Sequence, residues 1–204
     1  MDKTDYKKEL SSFYADKPGV ISTVEVPPMQ FLMMDGHGDP NTSQEYIDAI
    51  QALYPLAYTL KFMCKKELEQ DYGVMPLEGL WWTENMADFS MADKSNWLWT
   101  AMIMQPAMIT KDMFERAVQQ VADKKSLTAL GKVKFEVYNE GRAAQVMYVG
   151  PYADEGPTIQ QLHTFIRAQG GELTATNKHH HEIYLGDPRR VAPEKLKTII
   201  RQPY

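Results

Sequence analysis

The 204 residues predict an α+β fold, a pseudo-symmetric tandem of two β-α-β-β modules. Three observations carry that expectation. The apolar pattern switches between a period of two and a period of 3.6 in the order strand, helix, strand, strand. The same order then occurs a second time, and a single extra helix joins the two rounds.

Residues 1–19 read as a polar leader, and residues 20–204 as one domain with halves at about 20–108 and 130–204. The stretch VISTVEVPPMQFLMMDGHGDP is strand-like, is broken at Pro27 and Pro28, and closes in a glycine-rich turn. From Thr42 the period changes: Tyr46, Ile47, Ile50, Leu53, Tyr54, Ala57 and Leu60 recur at three- and four-residue steps. Thr42 and Glu45 fit a capping box, the helix is expected to reach about residue 70, and Pro55 predicts a bend. MPLEGLWW and WLWTAMIMQP follow as strands around the polar loop TENMADFSMADKSN. The linking helix is expected at about 110–125, capped by Thr110, with Met113, Phe114, Ala117, Val118 and Val121 on one face.

The second round opens with KVKFEVYNEGRAAQVMYVGPY, either one long strand or a hairpin around NEG. EGPTIQQLHTFIRAQGG is a helix with Pro157 in its first turn and Gly170 and Gly171 at its end. HHHEIYL and KLKTIIRQP are the last two strands. Glu78 and Glu182 fall on the same strand of their respective halves, each beside large aromatics.

Composition narrows the function classes. Twenty-two basic against 27 acidic residues give a net charge of −5, which argues against nucleic acid as a partner. The lone Cys64, in a predicted helix, excludes an intrachain disulfide framework and reads as a buried structural thiol. No apolar run approaches the roughly 18 residues of a membrane span, nor does the start resemble a signal peptide, so a cytoplasmic, membrane-free protein is expected. Thirteen Met, four Trp, eleven Tyr and seven Phe suit a pocket for planar ligands as well as an ordinary core.

Strand alternation groups Glu78, Leu80 and Trp82 on one face, and His180, Glu182 and Tyr184 on one face of the second half. If the halves face one another, the two carboxylates converge with Trp82 and Tyr184, while Trp97 and Trp99 share a face of the neighbouring strand. Trp81, on the opposite side of its strand, is a further candidate ligand contact. Such a wall can attract a cation through carboxylate charge and aromatic faces, or desolvation can turn a carboxyl into a general acid or base. In KHHHE only His180 and Glu182 share a face, short of the three or four ligands zinc takes, so no metal is expected, and no cofactor. No Walker loop, dinucleotide fingerprint or nucleophile elbow is present.

The halves, the segment HEIYLGDPRR with its tail PEKLKTIIRQP, and the stretches YGVMPLEGLWW, WLWTAMIMQP and YVGPYADEGPTIQQLHTFI resemble the GyrI-like small-molecule-binding family, in particular its stand-alone members similar to cyclopropanoid hydrolases. The resemblance implies a pair of β-α-β-β modules within one chain, with antiparallel sheets flanking a ligand cleft. It also implies that Glu182 occupies the position of the buried glutamate that recognises lipophilic cations in regulator members. About twenty residues precede the first strand, too few for a helix-turn-helix. The resemblance to hydrolases of cyclopropane-bearing alkylators implies Glu182 as base or water-positioner and Glu78 as a second carboxyl. It further implies Tyr152 or Tyr184 as hydroxyl donor, with Trp82, Trp97 and Trp99 as stacking walls and Trp81 and His180 as further contacts. The expected partner is a lipophilic or aromatic small molecule, cationic ones included, and the chain is expected to be monomeric. The alternatives are non-catalytic capture of a drug or tetrapyrrole, and modulation of a protein partner of the gyrase type.

Overall fold

The computed structural model describes residues 2–84, 93–173 and 179–204; most of the polar loop expected at 83–96 lies outside the described residues. Residues 3–14 form a short strand β1 (Lys3–Thr4) and two single-turn helices, α1 (Tyr6–Glu9) and α2 (Ser11–Tyr14). Asp5 caps the first of these by accepting the Lys7 amide at 3.2 Å. The first module comprises β2 (Ser22–Val26), β3 (Met29–His37), α3 (Gln44–Glu67), a short β4 (Asp71–Tyr72), β5 (Leu77–Trp82) and β6 (Leu98–Gln105). After the linking helix α4 (Lys111–Ala122), the second module comprises β7 (Lys134–Tyr138), β8 (Gly141–Val149), α5 (Gly156–Ala168), β9 (His180–Tyr184) and β10 (Lys197–Pro203).

Local chemistry explains the helix ends. Thr110 caps α4 through its hydroxyl at 3.2 Å from the Met113 amide, as its position predicts. The cap of α3 is Ser43, whose Oγ accepts from Tyr46 N, and not Thr42, which sits in the turn begun by Asp39. Pro55 lies within the 24 residues of α3 without ending the helix. Gly170, with φ +75°, closes α5 in the left-handed conformation that only glycine adopts cheaply.

Eight strands form one sheet in the order β2-β8-β10-β9-β5-β6-β3-β7, every neighbouring pair antiparallel. The two half-sheets therefore join edge to edge through β5 and β9, and the pseudo-twofold passes through that seam. The leading strand of each half crosses over: β2 pairs with β8 of the second half, and β7 with β3 of the first. NEG is thus neither a hairpin nor the middle of one strand, because β7 and β8 end up at opposite regions of the sheet.

Both long helices cover the same face. Ala144, Val146 and Ile200 pack against Ile159, Leu162 and Ile166 of α5, while Tyr46 of α3 meets Trp81 and Trp99. Register places all five of these sheet residues on the side that carries Glu182, and α3 lies over β3 and β6 while α5 lies over β8 and β10. The seam is left as a floor between two helical walls. The opposite face receives the N-terminal segment, with Tyr14 only 2% exposed and Tyr6, Leu10 and Phe13 packed on the core.

Gly36 shows how tightly the helical side is filled. It pairs with Trp99, and a Cβ at position 36 would stand 2.2 Å from the indole Cη2. Gly36→Ala is expected to lower stability by about 1–3 kcal/mol, because the indole is fully buried and has nowhere to retreat. An unchanged urea midpoint in that variant contradicts this packing.

Candidate functional site

The register decides which residues meet. Glu78 pairs with Ile183, whereas Glu182 pairs with Gly79, so the two glutamates occupy opposite faces of the sheet. They do not converge as their parallel positions in the two modules suggest, since neighbouring residues on a strand point to opposite sides and a one-residue slip exchanges the faces. The residue that stands opposite Glu182 on the seam is Gly79, whose missing side chain leaves room for the Trp81 indole.

Glu182 is anchored from its own strand. Its Oε1 lies 3.1 Å from His180 Nε2, and its Oε2 accepts the Tyr184 hydroxyl at 2.6 Å. Burial pushes its carboxyl up, but the hydrogen bonds from His180 and Tyr184 and the Lys94 charge outweigh burial and hold it below the ordinary carboxylate range. Beside it, at the start of α5, is a carboxyl that sequence reasoning missed. Glu155 is 1% exposed, and its carboxyl lies beside Thr198 and Glu182. Burial, reinforced by the neighbouring Glu182 charge, pushes Glu155 up to about 9. Burial and the Glu182 charge thus favour the protonated form of Glu155, and Glu182 is the more acidic of the two.

Aromatic rings surround this pair. Tyr152 stands edge-on to Tyr184 at 5.4 Å, Tyr46 lies 5.7 Å from Trp81 and 5.0 Å from Trp99, and Trp81 lies 5.4 Å from Trp97. The indole nitrogens of Trp81 and Trp99 are buried donors without a hydrogen-bond partner among the described residues. Burial, with smaller contributions from Glu155 and Glu182, raises the Tyr152 hydroxyl to about 12, so it remains a donor. Trp81, Trp97, Trp99, Tyr152, Tyr184 and His180 are thus gathered around Glu182. Trp82 is turned to the other face, where it stacks on His179 at 4.2 Å. A recess of about 410 Å³ beside Trp97, lined by His37, Thr83, Glu84, Ser95, Asn96 and Leu98, contains neither Glu182 nor Glu155. The convergent chemistry lies at the seam.

Glu78 belongs to a second buried cluster. It accepts the Tyr14 hydroxyl at 2.8 Å and contacts His181 Nε2 at 3.0 Å. The other ring nitrogen of His181 lies 2.8 Å from Glu140, which in turn holds Arg201 Nη1 at 2.9 Å. Arg201 continues to Gln145 and the Phe13 carbonyl. Burial opposes the charge on His181, but Glu140 and Glu78 outweigh it and raise the imidazole to about 9. Glu140 likewise overcomes burial through His181 and Arg201 and falls to about 2. Glu78, Glu140, His181 and Arg201 thus form one buried hydrogen-bonded cluster, with the N-terminal segment tied across it.

Among the described residues no group of three or more His, Cys, Asp or Glu is placed to hold a metal ion, and no helix is long and apolar enough to cross a membrane. Cys64 is fully buried in α3.

The chain's relatives fit this geometry. The model of the GyrI-like small molecule binding domain matches residues 20–204. Among solved structures, an uncharacterized conserved protein from Listeria innocua is 41% identical, with 98% of this chain and 99% of that chain covered and a TM-score of 0.89. A hydrolase from Listeria innocua is 40% identical over 99% of each chain, with a TM-score of 0.87. The EcmrR C-terminal domain, 14% identical with a TM-score of 0.54 over 90% of this chain and 96% of that one, shares the fold. The curated proteins include no match.

Proposed function

The chain belongs to the GyrI-like small-molecule-binding family, and on that footing we propose that its seam cleft detoxifies lipophilic aromatic electrophiles by hydrolytic ring opening of cyclopropane-bearing alkylators. The observation that carries this reading is a buried, ionised Glu182 held by His180 and Tyr184 within a ring of aromatic side chains. The hydrolase from Listeria innocua at 40% identity supports the catalytic form of the reading.

In this proposal the aromatic walls hold a planar cyclopropyl dienone, and Glu182 orients a water molecule toward the strained methylene carbon. The water oxygen bonds to that carbon and gives its proton to Glu182. The cyclopropane carbon–carbon bond breaks, and its electron pair moves through the ring to the carbonyl oxygen, which becomes a phenolate. Donors aimed at the developing oxyanion lower the barrier, and the Tyr152 hydroxyl and the unpartnered indole N–H groups of Trp81 and Trp99 are the donors available. The phenolate then takes a proton from solvent, and Glu182 returns its own. Glu155, kept neutral among Glu182, Thr198, Lys94, Tyr152 and Tyr184, spares the cleft a second negative charge that would oppose electron flow to the carbonyl. His180 and Tyr184 position the carboxylate.

The test supplies a cyclopropyl-dienone alkylator in large molar excess and measures the water adduct by mass spectrometry. Adduct well beyond the amount of protein is expected. Turnover should fall as pH rises through about 9, where Glu155 ionises. Glu155→Gln should remove that limb while keeping turnover at neutral pH. Because His181 titrates in the same range, a limb that persists in this variant would trace to the fold and contradict the role of Glu155.

Non-catalytic capture is the second reading, favoured by the aromatic lining, which binds planar molecules whether or not they react. Stoichiometric retention of intact alkylator would establish it.

A further inference from the structure

The cleft contains a cation of its own. Lys94, on the segment leading into β6, places its ammonium over the Trp97 ring, 4.7 Å from the centroid. Trp97 lies 5.4 Å from Trp81, and the Trp81 indole lies across Gly79, the residue paired with Glu182. One ring face and one ammonium are therefore stacked on the wall of the site that carries the negative charge. A cationic aromatic ligand would seek both partners that Lys94 already engages: an indole face and the field of a buried carboxylate.

We propose that Lys94 is a built-in counterion that sets the charge selectivity of the cleft, so that the site accepts uncharged planar molecules and rejects lipophilic cations. This deepens the detoxification reading and rests on it for the location of the site. The Lys94 charge reaches both cleft carboxyls, acting against burial on Glu182 and on Glu155 alike. The Lys94 ammonium, seated on Trp97, thus offsets part of the Glu182 charge before any ligand arrives. A neutral dienone then enters without an uncompensated charge being buried. An entering cation meets like-charge repulsion from Lys94 and must displace it from Trp97. The same ammonium favours the negative charge that grows on a dienone oxygen as the ring opens, so rejection of cations and assistance to the reaction share one residue.

The test uses two probes of matched shape and opposite demand, neutral 1-methylnaphthalene and cationic 1-methylquinolinium, with affinities measured by equilibrium dialysis. Wild-type protein should favour the neutral probe. Lys94→Gln should strengthen binding of 1-methylquinolinium about tenfold, the scale of one screened charge pair near a protein surface, and leave 1-methylnaphthalene nearly unchanged. Lys94→Arg, which keeps the charge, should behave as wild type. Trp81→Ala marks the site and should weaken both probes. If Trp81→Ala weakens both and Lys94→Gln leaves their ratio unchanged, the role of Lys94 is overturned while the cleft stands. If Trp81→Ala affects neither, the cleft reading falls and the inference with it.

Discussion

Glu182→Gln is expected to lower turnover of a cyclopropyl dienone by about 10²- to 10⁴-fold, the range that a positioned general base contributes. The amide has the same shape as the carboxylate and its one oxygen can still accept from either His180 or Tyr184, so the packing around position 182 is preserved although one of the two hydrogen bonds changes direction or is lost. What it loses is the capacity to take a proton from water. The neutral probe should therefore bind as before, and the far-ultraviolet circular dichroism should be unchanged, while the single-turnover rate collapses. Turnover within a few-fold of wild type would remove Glu182 as the base. His180 would then be the remaining proton acceptor touching that position.

The second large effect lies on the other face of the sheet. Arg201→Met should destabilise the fold by about 3–5 kcal/mol, because the guanidinium is completely buried and its removal leaves the buried Glu140 with His181 as its one remaining cationic partner. The variant also severs bonds to Gln145 and to the Phe13 carbonyl, so the N-terminal segment should loosen from the sheet. The pH dependence has a defined sign. The imidazole of His181 is raised above its unfolded value, so its contribution is complete below about 6.5 and is lost as pH rises through about 9. Glu140 is depressed, so its contribution is complete above the ordinary carboxylate range and is lost as pH falls toward about 2. Urea midpoints of the wild type should pass through a plateau between these limits. A loss below about 1 kcal/mol in Arg201→Met would show that the cluster contributes little beyond its own desolvation cost.

Glu78 illustrates how a motif can be legible while its role is not. Its strand and its repetition in the second half are readable, and so is the oddity of a carboxylate among apolar residues. Its partners are not, because Tyr14 and His181 come from distant parts of the chain, and His181 in turn is held by Glu140 from a third. Tyr14 lies in a segment that reads as a polar leader, and only folding turns its ring inward. Glu155 was hidden for a different reason: at the start of a helix an acidic residue is the ordinary expectation, and nothing local signals that α5 begins against Glu182. The tryptophans divide by parity. Trp81 and Trp99 lie on the Glu182 face of the sheet and Trp82 on the other, a distinction that turns on a single residue of register.

The order of the elements, the doubling of the module, the capping of α4, the end of α5 and the family are legible in the amino-acid sequence, because each is written in short-range periodicity, turn chemistry or contiguous motifs. The tertiary structure alone decided that the halves join through β5 and β9, that their leading strands are exchanged, and that Glu182 is accompanied by Glu155 instead of Glu78. Those outcomes depend on hydrogen-bond register and on contacts between residues far apart in the chain. A strand presents its side chains to alternate faces, so a shift of one residue, invisible to pattern, sends a carboxylate to one face of the sheet or to the other.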